Sequence, residues 1–122
     1  MENGIDIYTT GIFRYPKTVC SLKVGLGVKT EGNLIISGTK GYAYVPSPWW
    51  KTDYFELRYE NQNNNKKFFY KWDGAGLRYE IQEFISCIIN HRFSSSRLRR
   101  HESIFMADVM QRFAERKNVI EI

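Results

Sequence analysis

Cysteine and histidine are scarce in this 122-residue chain, with two of each. Cys20 and Cys87 lie far apart, and neither belongs to a Cys-x-x-Cys pair. The sequence therefore offers no zinc knuckle and no redox pair. Cys20 alternates with Leu22 and Val24 in a strand pattern, and Cys87 sits among Ile85, Ile88 and Ile89. Both are expected to be small buried hydrophobes in a reducing compartment. No apolar run reaches the length of a membrane span, and no charged-then-apolar leader opens the chain. The expectation is a cytoplasmic protein with no membrane partner. Strand-like sequence begins almost at once, at Ile5, so the chain is also expected to be a piece cut from a longer one.

Nucleotide-binding loops are missing too. A phosphate-binding loop needs glycines that lead into a helix, so that backbone amides and the helix dipole meet the phosphate. Gly38-Thr39-Lys40-Gly41 leads into the strand-like Tyr42 to Val45 instead. Gly25 and Gly27 match the first half of a dinucleotide fingerprint, but Thr30 stands where its third glycine belongs and no helix follows.

What the chain does have is apolar and aromatic surface. Hydrophobic residues make up 43% and aromatic residues 16%, enough for one globular domain spanning 1–122. The net charge of +5 is spread along the chain, which argues against nucleic acid as a partner. One basic cluster stands out: Arg92, Arg97, Arg99, Arg100 and His101. Only Phe93 is interleaved with it, too few aromatics for a stacking platform. It reads as a solvated helix start. Cations are disfavoured at a helix N-terminus, which leaves an acidic partner surface as the alternative.

The first half reads as strands. Ile5 to Tyr15 is followed by a turn at Pro16, and Val19 to Val28 alternates in the pattern of a hairpin partner. Gly25 and Gly27 mark a bulge or a close backbone approach. Short strands are predicted over Leu34 to Ser37 and Tyr42 to Val45. Tyr54 to Glu60 sets Phe55, Leu57 and Tyr59 against Tyr54, Glu56 and Arg58. The polar run Asn61 to Lys67 reads as an exposed hairpin loop, with Phe68 to Trp72 as the last strand. The period then changes to 3.6: Leu77, Ile81, Phe84, Ile85, Ile88 and Ile89 form one helical stripe. Ser94 to Ser96 offer N-cap candidates for a second helix, roughly Arg99 to Lys117. Val119 to Ile122 reads equally as a final strand or a tail. Strands first and helices last predict an α+β fold: an open, mainly antiparallel sheet with two C-terminal helices packed on one face.

Catalytic constellations are not found. His91 and His101 lie in arginine-rich surroundings without a partner base. Glu80 and Glu83 are one helical turn apart but lack a histidine, and Arg78 is the expected ion-pair partner of one of them. No metal site is expected. Adjacent Trp49 and Trp50 suit a sugar-stacking surface as well as a sheet edge or subunit interface. A non-enzymatic carbohydrate- or protein-binding module is thus the alternative reading.

Two runs carry a family resemblance: Leu34-Ile35-Ile36-Ser37-Gly38-Thr39-Lys40-Gly41-Tyr42-Ala43-Tyr44-Val45-Pro46 with Pro48-Trp49-Trp50, and Gly76-Leu77-Arg78-Tyr79-Glu80-Ile81-Gln82-Glu83-Phe84-Ile85. With His101-Glu102-Ser103, they resemble the C-terminal domain of the glucose-fructose oxidoreductase/inositol dehydrogenase/MocA family, in its dihydrodiol-dehydrogenase-like branch. The resemblance covers nearly the whole chain.

It implies an N-terminal Rossmann domain that binds NAD(P) and is not part of this sequence. It also implies a sheet that packs against a second subunit to form a homodimer. The reaction implied is hydride transfer to or from a sugar, polyol or similar hydroxyl or ketone. The family's Glu-Lys-Pro motif and its catalytic histidine motif have no counterpart here, and Leu77 stands where many members have tyrosine. The chain alone is therefore expected to bind no cofactor and to catalyse nothing. Leu77, Arg78 and Tyr79 are the expected substrate-cleft residues. Tyr42, Tyr44, Trp49 and Trp50 are the expected interface residues.

Overall fold

A computed structural model describes residues 6–74 and 76–117. They form six strands and two helices, an α+β fold with antiparallel ladders throughout. The residues fall into two compact units, which divide between Lys71 and Trp72.

In the first unit, β1 (Tyr8–Tyr15) and β2 (Thr18–Gly25) make a hairpin with Tyr15 opposite Thr18. Pro16 and Lys17 are its two-residue turn, where the fixed φ of proline suits a tight reversal. Gly27, just beyond β2, marks a close approach: a Cβ there would stand 2.5 Å from Ile7 Cγ2. The Ile7 carbonyl accepts from both Leu26 N and Gly27 N, at 2.9 and 3.3 Å.

The remaining strands form a second sheet, a meander in the order β3 (Leu34–Ser37), β4 (Gly41–Val45), β5 (Tyr54–Tyr59) and β6 (Lys66–Phe69). There are thus two sheets rather than one, of two and four strands. Gly38 N donates to Gly41 O at 2.9 Å and closes the turn between β3 and β4. Phe55 lies opposite Phe68 and stacks on it at 4.9 Å, with Tyr70 stacked at 6.4 Å on the same ring. These residues and Leu57 share one face, and Tyr54, Glu56 and Arg58 share the other, as the alternation predicts.

The last strand departs from expectation. It starts at Lys66, two residues early, and ends at Phe69. The asparagine run explains the shift. Asn61 Oδ1 accepts from Asn63 N, and a 3-10 turn covers Gln62–Asn64. Asn65 Oδ1 then accepts from Tyr59 N at 2.8 Å. Side-chain acceptors close the loop by Asn65, so the lysines are already in the ladder.

In the second unit, α1 spans Leu77–Ile89 and α2 spans Arg100–Ala114. Both end the same way. His91 and Arg116 take left-handed φ angles of 52° and 55°. Arg92 N reaches Cys87 O at 2.8 Å, and Lys117 N reaches Arg112 O at 2.9 Å. These are Schellman closures with non-glycine residues at the left-handed position. Glycine pays no Cβ penalty there. His91→Gly should therefore stabilise the chain, by about 0.5–1 kcal/mol in urea titration. An unchanged midpoint would mean that the α1 terminus is not under this strain.

The serine run does not cap α2. Arg99 is the N-cap, and Glu102 Oε2 reaches back to its backbone N–H at 2.6 Å. That carboxylate in the first turn also offsets the cations clustered there.

No described residue is buried. Cys20 is exposed and Cys87 half-buried, contrary to the expected burial. The reason at Cys20 is local: β2 belongs to a two-stranded ribbon, so strand alternation there has no covered face to point at. The expected strand or tail at 119–122 lies outside the described residues, as does Ile5.

Candidate functional site

Two groups of sequence-predicted residues are organised by the structure, one in each unit. The first lies on the four-stranded sheet. Tyr42 stands opposite Arg58, and Tyr44 opposite Glu56. The Arg58 guanidinium lies over the Tyr44 ring at 4.2 Å and reaches the Tyr42 ring at 6.0 Å. Its Nε and Nη2 both meet Glu56 Oε2 at 2.7 Å. Lys67, opposite Glu56 on β6, approaches the other oxygen, Oε1, at 3.7 Å. Its ammonium also sits 3.6 Å from the Tyr54 ring centre and 5.2 Å from that of Phe69.

This face is a row of aromatic rings interleaved with two cations around one carboxylate. The Arg58 hydrogen bond, followed by the charges of Arg58 and Lys67, holds Glu56 below the usual glutamate range against a partial desolvation cost. Arg58, Glu56 and Lys67 are the members that sequence reasoning missed. The alternation over Tyr54 to Glu60 put Glu56 and Arg58 on one face, but the cross-strand register that places them beside the tyrosines is not written in a single strand.

Trp49 and Trp50 lie outside the strands. They follow the Pro46–Pro48 segment in the loop after β4, where Trp49 N donates to Gly32 O at 3.0 Å. Their rings meet edge to face, 6.0 Å apart and 89° inclined. Two perpendicular rings do not present a common plane to a sugar. Both are exposed.

The second group is the start of α1. Leu77 is its first residue and is exposed. Arg78 Nη1 pairs with Asp73 Oδ2 at 2.7 Å, so its partner is Asp73 rather than Glu80 or Glu83. The Tyr79 hydroxyl accepts from Asp73 N at 2.9 Å, and its ring meets Trp72 edge to face at 5.3 Å. Arg78 and Tyr79 thus fasten the 72–74 turn, where Gly74 takes a φ of 78°. Asp73 and Trp72 are the partners that sequence reasoning did not supply.

Glu83 has a different role from the one its spacing to Glu80 suggested. Its Oε1 accepts from Ser95 Oγ at 2.8 Å, from Arg92 Nη1 at 3.4 Å and from Cys87 Sγ at 3.8 Å. Its Oε2 lies 3.7 Å from Arg97 Nε. The Ser95 hydrogen bond, then Arg92 and Arg97, lower its pKa below the usual range, opposed by partial desolvation. A carboxylate with a depressed folded-state pKa contributes stability that is fully present above its unfolded value, about 4.3. That contribution is lost as pH falls through the lower folded value. The melting temperature should therefore drop on acidification below about pH 4.3, and Glu83→Gln should flatten that part of the profile. Identical acid profiles for the two proteins in thermal melts would remove Glu83 from the account.

Among the described residues no group of His, Cys, Asp and Glu is arranged to hold a metal. No helix of the described residues is long and apolar enough to cross a membrane. A dip beside the end of α2, lined by Asp108, Gln111, Arg112, Glu115 and Lys117, is filled with internal pairs. Arg112 Nε meets Asp108 Oδ2 at 2.9 Å, and Gln111 Nε2 meets Glu115 Oε1 at 2.8 Å.

No protein-family model matches the chain, and no solved structure matches it. Two curated proteins do, both trans-1,2-dihydrobenzene-1,2-diol dehydrogenases. The rabbit protein (Oryctolagus cuniculus) is 29% identical over 117 residues, and the bovine one (Bos taurus) 26% over 117 residues. In both cases the match covers 90% of this chain and 35% of the relative. The chain is thus similar to dihydrodiol dehydrogenases along most of its own length, and spans about a third of theirs.

Proposed function

We propose that the chain is the C-terminal domain of an NAD(P)-dependent oxidoreductase that acts on a dihydrodiol, sugar, polyol or similar hydroxyl or ketone. The similarity to two dihydrodiol dehydrogenases carries this reading. In it, the dinucleotide domain and the hydride-transfer groups lie on a part of the protein beyond these 122 residues. This domain then supplies two things. The start of α1, with Leu77, Arg78 and Tyr79, borders the substrate cleft. The Asp73 contacts to Arg78 Nη1 and the Tyr79 hydroxyl support that role, because they hold the polar ends of both side chains in place. The sheet face with Tyr42 and Tyr44, flanked by Trp49 and Trp50, joins two copies in a homodimer. We place the protein in the cytoplasm, where its two free thiols stay reduced.

The test is made on the full reading frame. Purified protein is mixed with NAD or NADP and with trans-1,2-dihydrobenzene-1,2-diol, inositol and aldose sugars, and nicotinamide absorbance is followed. Reduction of a nicotinamide with one of these substrates is the expected result. No dinucleotide-dependent oxidation of any of them would overturn the reading. The 122-residue chain alone should show neither turnover nor micromolar dinucleotide binding by calorimetry.

A further inference from the structure

We propose that Ser95 is a phosphate-accepting serine, and that Arg92 and Arg97 are the receptor for the phosphoryl group once it is attached. Ser95 lies in the connector between α1 and α2, which has no regular secondary structure, and it is only half covered. Its hydroxyl is one of a set of side-chain donors, with Arg92 and Arg97, that converge on the Glu83 carboxylate. Ser95 Oγ and Arg92 Nη1 both meet Glu83 Oε1, at 2.8 and 3.4 Å, and Arg97 Nε faces Oε2 at 3.7 Å. Arg97 N also donates to Ser95 Oγ at 2.9 Å, and Arg92 Nη2 to Ser86 Oγ at 3.0 Å. One carboxylate charge therefore answers two guanidinium charges. A phosphoserine carries a charge near −2 at neutral pH and three acceptor oxygens, a closer match to two arginines than Glu83 alone provides.

The surrounding sequence presents the acceptor in a way suited to a basophilic serine/threonine kinase. Arg92 precedes Ser95 by three residues, and Arg97, Arg99 and Arg100 follow it. Ser94 and Ser96 have His91 and Phe93 at the position where Ser95 has Arg92. Ser103 has Arg100 there, but it lies within α2 and is not free to extend into a kinase groove. In the transfer, Ser95 Oγ attacks the γ-phosphorus of ATP. The new Oγ–P bond forms as the bond from that phosphorus to the β-phosphate oxygen breaks. ADP leaves, and the hydroxyl proton passes to the carboxylate base of the kinase. Glu83 then loses its nearest donor and faces a second anion. The connector exchanges its tie to α1 for a tie between its own arginines and the phosphate.

The 122-residue chain is incubated with ATP, magnesium and the catalytic subunit of a basophilic serine/threonine kinase, and phosphate is located by peptide mass spectrometry. Incorporation at Ser95 is expected, retained in Ser95→Thr and reduced at least tenfold in Ser95→Ala. Phosphorus NMR of the product reads the second arm. The phosphoserine should titrate below its ordinary value of about 6, and Arg97→Ala should move it back. Phosphate found only on other serines, or none in a kinase that labels a control peptide, overturns the assignment of Ser95. Titration at the ordinary value overturns the assignment of the arginines.

Discussion

Gly41→Ala should lower the stability of the chain by about 2–3 kcal/mol, although it adds a single methyl group at a half-covered strand start. A Cβ at Gly41 would overlap the carbonyl oxygen of Arg58, with the Arg58 carbonyl carbon 3.3 Å and the Tyr59 ring 3.0 Å away. Two of these obstacles are backbone, which a rotamer change does not clear. Relief requires β4 and β5 to separate at the Gly41–Tyr59 pair, where the β3–β4 turn is also anchored. Gly76→Ala is the matched control: nothing lies within 4 Å of its added methyl, and its φ of −55° suits alanine. That variant should be neutral or more stable by up to about 1 kcal/mol. Urea titrations of both variants decide the matter. A Gly41→Ala loss under about 0.5 kcal/mol would mean that the two strands are not held as closely as described.

The second large effect is expected on association. Arg58→Ala removes the cation from above Tyr44 and Tyr42 and deprives Glu56 of its double hydrogen bond. In the isolated chain the loss of stability should be small, because the residues remain solvated. In the proposed homodimer the same face is desolvated, and a centrally placed arginine among aromatics is the kind of residue that dominates an interface. The dimer dissociation constant should rise roughly 30-fold or more. Sedimentation equilibrium across a concentration series measures it. A wild-type chain that stays monomeric at every concentration would sink the dimer, and a dimer indifferent to Arg58→Ala would move the interface to another surface.

How much of this was legible in the sequence depends on the range of the forces involved. The α1 stripe from Leu77 to Ile89 was visible because a 3.6-residue period is a local property. The hairpin at Pro16 was visible because proline sets its own φ. The split into two sheets was not, since nothing in Tyr8 to Gly25 records whether a third strand lies alongside. Side-chain clusters were the least legible. Glu83 was grouped with Glu80 by spacing, whereas its serine and arginine partners come from the connector, nine to fourteen residues on. Arg58 was placed on one strand face with Tyr54 and Glu56 but not beside Tyr42, because only the Gly38–Gly41 turn and the 46–53 loop fix the register that brings the two together. The early start of β6 came from side-chain hydrogen bonds of Asn61 and Asn65, which a reading of polar loops as featureless does not contain.

Every ladder in the first unit joins neighbours along the chain: β1 with β2, then β3, β4, β5 and β6 in order. Such a meander needs only short loops to close before pairing begins, so its entropic barrier to assembly is low for an all-strand region. Hairpins of this kind form on the microsecond scale. The sheet should therefore appear early when the chain is diluted from denaturant, with β4 and β5, paired on both sides in the middle of the order, as the last strands to lose amide protection. Each pairing also draws only on strands already made when its second strand leaves the ribosome, so none waits for residues still to be added.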